Sequence, residues 1–401
     1  MTGLVAVVVG LFCLCCTPSA PQAPPVRPGI EVLISDSTQL VAGRRVGLLT
    51  NQTGVDSRGM GDVEVLLGAG VDLAAIFSPE HGFRGQLDEE NIGHATDSAT
   101  GLPIFSLYGE QLAPSLEMFA LIDVLLVDLQ DIGARTYTYI SAALHAMEAS
   151  VEAGVPIVIL DRPNPIGGEH VQGPILDPEF STYVGMLPVP IRHGMTMGEL
   201  ALFGNSTLEI GADVFVVPTG GWSRDLWFDA TLLPWVKPSP NMPDLESASH
   251  YPGTVLFEGT NVSVGRGTTV AFQVLGAPWF EPTSLLEHLT DEPGVVVYDT
   301  VFTPRLPADR KYADQPLPGL KFRVIDRGLY DPTRLAIRVF AAIRDIHGEA
   351  FQLTPGLDRL AGSTGLRSWI ESGESYESFY QSWESPLAEF ERLRELFLLY
   401  K

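Results

Sequence analysis

The chain has 401 residues, 45% of them hydrophobic, with 40 glycines and 31 prolines spread along it. That length and texture suit two globular domains and exclude a disordered chain. The 25 basic against 49 acidic residues give a formal charge of -24, which repels polyanions, so nucleic acid is excluded as a general partner and so is an anionic membrane face. Bulk charge does not exclude a local cluster that binds a small acidic substrate.

The N-terminus reads as a leader. The run GLVAVVVGLFCLCC (3–16) is uncharged, apolar and too short to span a bilayer, and a Pro-rich stretch follows it (17–29). No Lys or Arg precedes the run and no clean lipobox precedes Cys16, so a signal cleaved near Ala20 is the simpler reading. Membrane anchorage would run only through a lipidated N-terminal cysteine. The expected location is outside the cytoplasm, in the periplasm or outer cell envelope. All three cysteines, Cys13, Cys15 and Cys16, fall in this leader, so residues 17–401 cannot form a disulfide among themselves. Residues 1–28 are assigned to leader and linker.

Beyond the linker, short apolar runs alternate with helix-period segments. Strands are predicted at 46–50, 73–78, 103–108, 124–130 and 156–161, and helices at 62–70, 115–123 and 139–154. A further helix (195–203) and strand (212–219) extend the series. Continuous apolar runs suit strands buried on both faces, and the alternation predicts an α/β, Rossmann-like, mainly parallel sheet domain over 29–250. A smaller mixed α+β domain is expected over 251–401, β-rich at 253–278 and helical at 375–400.

In such a sheet, ligands bind beyond the carboxyl ends of the strands. TNQTGVD (50–56), SPEHGFRG (78–85), LYGE (107–110), DLQDIGARTYTY (128–139) and DRPNPIGG (161–168) each follow a predicted strand. Five consecutive strand ends rich in Asn, Glu, His, Arg, Asp and Tyr point to one cleft.

Each polar group also has an ordinary structural reading. Glu80 can cap or pair with Arg84, and His81 can fill a polar turn. At a strand end, partial burial equips a carboxyl for general acid work, whereas a neighbouring cation such as Arg84 opposes that and can instead bind a substrate carboxylate. A metal reading would draw on His81, His94, His193 and Asp128 or Asp161, but no zinc spacing is present. No G-x-S-x-G elbow, G-x-G-x-x-G or Walker sequence occurs in the right context, so neither a serine nucleophile nor a nucleotide is expected, and no cofactor. In IRHGMTMGEL (191–200), Thr196 and Glu199 form a capping box, and Arg192 and His193 are read as ligand-facing. The proline-rich 233–243 loop holds Trp235 and Met242, which favour order. Trp235 is either a sugar platform or, more commonly for a tryptophan, core.

Taken together, LLTNQTGVD, FSPEHGFRG, DLQDIGARTYTYIS, LDRPNPIGG, VPIRHGMTMGELA, PWVKPSPNMP and FEGTNVSVGRGTT resemble, in that order and over nearly the whole mature chain, the exo-β-N-acetylmuramidase family of NamZ type. The resemblance implies hydrolysis of terminal, non-reducing β-N-acetylmuramic acid from peptidoglycan fragments, without a nucleotide cofactor. It places the family's loop glutamate on Glu80, as general acid. Asn51, His81, Arg84, Asp131, Arg135, Tyr137, Asp161, Asn164, Arg192, His193, Asn241, Glu258, Asn261 and Arg266 lie in the matching blocks, their individual roles not fixed by the match. Two positions depart from the family pattern, Gln172 where relatives carry glutamate and Leu317 where they carry cysteine.

On this reading Glu80 protonates the leaving oxygen, His81 orients it, and Arg84 or Arg192 binds the lactyl carboxylate of muramic acid. Asp131, Asp161 or Glu258 supplies the second carboxylate, unless the substrate's acetamido group assists instead. Gln172 would mark the loss of another carboxylate. The rival reading is a non-catalytic glycan-binding protein that uses the same cleft.

Overall fold

The computed structural model describes residues 25–85 and 93–401. The leader reading concerns residues outside that range, apart from 25–28. Among the described residues, no helix is long and apolar enough to cross a membrane.

The first part of the chain forms β1 (Arg45–Thr50), β2 (Asp72–Ser78), β3 (Ala95–Thr96), β4 (Pro103–Ser106), β5 (Val124–Asp128), β6 (Ile157–Leu160), β7 (Gln172–Ile175), β8 (Pro190–Arg192) and β9 (Val214–Val217). Seven of them make one sheet in the order β3-β4-β2-β1-β5-β6-β9. Every pairing in it is parallel except β3 with β4. β5 and β6 are buried at every residue, as their unbroken apolar sequences require.

Alternate residues serve two cores. Leu49, Phe77, Leu125, Val127, Ile157 and Ile159 face one cluster with Leu144 and Phe203, whereas Val46, Leu48, Ile76, Leu126 and Val158 face another with Leu33 and Leu66. Helices therefore cover both faces. After β1 the chain builds outward through β2 and β4, then returns to build the other way through β5, β6 and β9. The carboxyl ends of β1 and β5 thus flank the point where the winding reverses, and the loops that follow the strands collect there.

Local chemistry sets the element ends. The helix Met197–Thr207 starts with the expected Thr196–Glu199 capping box. The helix expected at 115–123 is only Leu116–Phe119, because Asp123 accepts from the Arg45 backbone N–H (2.8 Å) and the chain must already turn into β5. The antiparallel pair β7–β8 lies outside the main sheet.

The second part holds β10 (Val274–Gly276), β11 (Val295–Phe302) and β12 (Leu317–Val324), ordered β10-β12-β11 and antiparallel. The β-rich expectation for 253–278 is corrected. Val255–Gly259 is a 3-10 turn, and of the whole stretch only Val274–Gly276 is a strand. Gly265 and Gly267, at φ 77° and 76°, turn the chain out of extended geometry, and a Cβ on Gly267 would lie 2.2 Å from the Arg305 carbonyl oxygen.

The two parts share one core. Residue 250, where the sequence texture changes, lies inside the helix Leu245–Thr254, which packs on the helix Pro332–His347. Phe257 stacks on Phe340 with ring centroids 3.9 Å apart. The C-terminus then returns to the first part. Leu399 N–H donates to Glu199 (2.8 Å), and the Tyr400 hydroxyl donates to Asp161 (2.5 Å) beyond the end of β6.

Candidate active site

Just beyond the carboxyl end of β2, the chain makes a tight turn that presents Glu80. Gly82 N–H donates to the Pro79 carbonyl (3.0 Å), and His81 adopts φ 70°. A left-handed backbone at a non-glycine residue costs about 1–3 kcal/mol and is concentrated at functional sites. Gly85 follows at φ 64°, with Gln52 packed where its Cβ would stand. The Gln52 side-chain amide in turn donates to the Lys237 carbonyl (2.7 Å), which ties the 233–243 loop to the site.

Both carboxylate oxygens of Glu80 accept hydrogen bonds. Tyr108, after β4, donates to Oε1 (2.8 Å), and Thr138, after β5, donates to Oε2. Thr138 stands at the N-cap of the helix Tyr139–Ala153 but makes no side-chain cap bond there. Its hydroxyl therefore serves Glu80 instead of the helix. Three strand ends thus converge on one carboxyl group.

Glu80 lines a cavity of about 560 Å³, large enough for a sugar ring. The first part of the chain contributes His81, Tyr108, Thr136–Tyr139 and Ser239 to the wall, and the later part contributes Tyr251, Glu258, Arg266, Phe272, Asp309, Thr354 and Arg359. Tyr137, Tyr251 and Phe272 form an edge-to-face series with centroids 5.8 and 4.7 Å apart, giving the polar cavity a rigid aromatic side. Burial, and then the Glu80 charge, push the Tyr139 hydroxyl well up, so it stays protonated.

The opposite wall carries paired charges. Arg266 forms an ion pair with Glu258 and lies over the Phe272 ring at 5.3 Å. Behind them, Lys311 donates to the carbonyls of Phe257, Glu258 and Val262 (3.0–3.3 Å). Burial pushes the Asp309 carboxyl up, partly offset by the Lys311 backbone N–H and ammonium. Its Oδ2 is buried without a hydrogen-bond partner. The cavity thus brings together two anchored carboxyl groups, Glu80 and Glu258, and one under-satisfied carboxyl, Asp309.

Several residues singled out from the sequence lie outside this wall, in a buried layer beneath the strand ends. Asp131 accepts from Gly133 N–H (2.7 Å) and lies 3.6 Å from His193 Nε2, while His193 Nδ1 accepts from Met195 N–H (3.1 Å). Asp161 accepts from Thr196 (2.7 Å), Gly198 N–H (2.8 Å) and Tyr400, and burial pushes it up to about 6. Arg192 is fully buried, donates to Gln172 (2.8 Å) and the Ile166 carbonyl, and is held by burial at about 10. Asn164 bridges the Met195 carbonyl and Ile166 N–H, and Asn51 accepts from Thr53.

Arg135 donates to the carbonyls of Pro174, Val189, Leu360 and Ala361. Arg84 pairs with Asp97 (3.2 Å) on a largely exposed face, away from the wall. Asn241 lines a neighbouring open groove and accepts from Gly267 N–H (3.0 Å), and Asn261 donates to the Ala350 carbonyl (2.9 Å). Trp235 packs edge-on to Phe228 (5.1 Å), outside the wall that holds Glu80. Of the residues named from sequence, Glu80, His81, Tyr137, Glu258 and Arg266 are brought together. Among the described residues, no three His, Cys, Asp or Glu side chains are grouped as a metal ion requires.

Models of the two parts of one family match this chain, "Exo-beta-N-acetylmuramidase NamZ, N-terminal" over residues 46–246 and "NamZ, C-terminal" over 249–400. The chain belongs to the NamZ exo-β-N-acetylmuramidase family. A curated relative, the peptidoglycan beta-N-acetylmuramidase NamZ of Bacillus subtilis (strain 168), is 42% identical over 385 residues, covering 94% of this chain and 92% of the relative. Two crystal structures of DUF1343 family proteins from Bacteroides fragilis NCTC 9343 superpose with TM-scores of 0.87 and 0.76, at 32% and 33% identity. Each covers 94% of this chain and 99% of its own.

Within this NamZ chain, the two departures from the family pattern have structural settings. Gln172 accepts from Arg192 and donates to the Tyr330 carbonyl (3.3 Å), outside the wall, so a glutamate there would face a buried guanidinium. Leu317 is fully buried beside Val274 and Phe302. Sequence reasoning missed Tyr108, Thr138, Asp309 and Arg359 as individual site residues. The first two stood inside strand-end blocks, whereas Asp309 and Arg359 carry no local signal.

Proposed function

We propose that this chain is an exo-acting glycoside hydrolase that removes terminal, non-reducing β-N-acetylmuramic acid from peptidoglycan fragments. Family membership and the 42% identical muramidase support the reaction. The observation that carries it to named residues is Glu80, fixed through both oxygens on the wall of a sugar-sized cavity.

The bond cleaved joins the anomeric carbon of muramic acid to the oxygen of the next sugar. Glu80 delivers the proton that this oxygen needs on leaving, and Tyr108 and Thr138 hold the carboxyl in line with it. His81, in its left-handed turn, fixes the backbone that carries Glu80. A water completes the hydrolysis at the anomeric carbon, helped by a second carboxyl or by the acetamido oxygen of the sugar. Of Asp131, Asp161 and Glu258, Glu258 is the one on the cavity wall, and Asp309 joins it as a candidate. The apolar run and Pro-rich linker at residues 1–28 support export to the periplasm or outer envelope, where peptidoglycan fragments arise.

The test is incubation with oligosaccharides that end in muramic acid, followed by mass spectrometry. Release of single N-acetylmuramic acid units, with glucosamine-terminated chains left intact, is the expected result. Internal cleavage to larger fragments, or no cleavage by folded protein that still binds the sugar, would overturn the assignment.

A further inference from the structure

The cavity wall carries more negative than positive groups, yet the sugar assigned to it is itself an anion. Glu80, Glu258 and Asp309 face two guanidinium groups, those of Arg266 and Arg359. Arg266 is paired with Glu258. Arg359 is exposed at the rim, and among the described residues its guanidinium makes no hydrogen bond or ion pair. The acid next to it, Asp358, is taken by Arg367 through both oxygens at 3.0 Å. What sets Arg359 apart from other exposed arginines is its place on the wall of the cavity that holds Glu80, where a bound anion would meet it.

The backbone around it is held in place. Arg359 lies on the helix Gly356–Ala361, which is anchored by buried Leu357 and Leu360. The buried Arg135 crosses from the first part of the chain and donates to the last carbonyls of that helix, Leu360 (3.0 Å) and Ala361 (2.8 Å). Gly362, at φ 80°, leaves the space that Arg135 enters. The guanidinium is therefore mounted on a fixed element and is mobile only in its own side chain.

We propose that Arg359 binds the lactyl carboxylate of the terminal muramic acid and is the residue that separates this sugar from N-acetylglucosamine. The proposal rests on the muramidase reading above and adds the specificity determinant to it. It replaces Arg84 and Arg192 in that role, since the first is paired on an outer face and the second is buried beneath the site. A planar guanidinium meets a carboxylate through two parallel N–H bonds, which no hydroxyl of glucosamine reproduces.

The test uses the full mature chain and three chromogenic β-glycosides, of N-acetylmuramic acid, of its lactyl amide and of N-acetylglucosamine. Wild type should prefer the acid to the neutral amide. Arg359→Gln should raise KM for the acid by roughly 10- to 100-fold, the range for a lost charged hydrogen bond, with Arg359→Lys in between. On the amide the same substitution should cost far less. An equal loss on acid and amide, or wild type that does not distinguish them, would overturn the proposal. The Kd of free N-acetylmuramic acid for wild type and Arg359→Gln separates the two levels. Wild type that binds the acid without hydrolysing any glycoside would sink the enzymatic reading, and the ratio of the two Kd values would still decide the role of Arg359.

Discussion

The loops after β2 and β4, with the last residues of the loop after β5, and those after β6 and β8 are all polar in sequence, yet they have different fates. Glu80, Tyr108 and Thr138 point into the cavity and engage one another there. Asp161, Arg192 and His193 turn inward, where backbone N–H groups, carbonyls, Gln172 and the C-terminal Tyr400 hold them, with the Arg192 Nε left without a partner. The difference follows from what covers each loop. β7, β8 and the end of the helix Tyr376–Arg394 close over the second group, and Arg394 donates to the carbonyls of Gly168 and Gly194 (3.2 Å each). The first group faces a cavity whose opposite wall comes from the later part of the chain. Polar residues at strand ends thus form two systems, one that fixes the framework and one that lines the cavity.

This contrast predicts that substitutions in the two systems separate activity from stability. The largest effect is expected for Glu80→Gln, which should lower kcat by about 10²- to 10⁴-fold, the usual weight of general acid catalysis. Its melting temperature should stay near wild type, and a substantial drop would place Glu80 in the framework instead.

The next effect falls on the framework itself. Asp128 pairs with Arg162 in full burial, and Asp62 lies beside them with its carboxyl pushed well up by burial and the Asp128 charge. Asp128→Ala removes the closest partner of the buried Arg162, leaves it only Asp62 at 3.9 Å, and should destabilise the fold by about 3 kcal/mol in denaturant titration. A loss under about 1 kcal/mol would show that Asp62 or water takes over the Arg162 charge.

Smaller is Thr138→Val. It removes one donor to Glu80, and since the Thr138 hydroxyl makes no cap bond, helix stability should hardly change. We expect kcat to fall roughly 5- to 10-fold, the weight of a single hydrogen bond. A large stability loss with unchanged kcat would reverse the assignment of that hydroxyl.

The smallest effect carries a pH signature. Burial raises Asp161 to about 6 from its ordinary 3.8, so its contribution to stability is complete below about pH 4 and is lost as pH rises through about 6. The Tyr400 hydrogen bond favours the ionised form and limits that loss. Tyr400→Phe should therefore destabilise by about 1 kcal/mol above pH 6 and by less at pH 4. A cost that does not change with pH would mean that Asp161 does not titrate in this window.

Much of the fold was legible because apolar runs and capping chemistry are local. The five strand runs, the long helix after β5 and the Thr196–Glu199 box all stand where sequence places them, with ends shifted by a residue or two. The 253–278 stretch misled because Val262, Val264 and Val270 alternate like a strand, while the glycines between them break the pairing. At the site, Glu80, Glu258 and Arg266 were legible through their motifs. Which strand-end groups face inward was not, because that depends on β7, β8 and the last helix, which come from distant sequence. Asp309 and Arg359 reach the wall only through tertiary packing, and no spacing along the chain signals them.

The most direct measurement is steady-state hydrolysis of a chromogenic β-N-acetylmuramic acid glycoside by wild type and Glu80→Gln, each matched for melting temperature. Turnover by wild type that is lost in the variant, while the Kd for free N-acetylmuramic acid is retained, is the predicted result. A variant as active as wild type would contradict the account, because the carboxyl held by Tyr108 and Thr138 would then not be the one that does the chemistry.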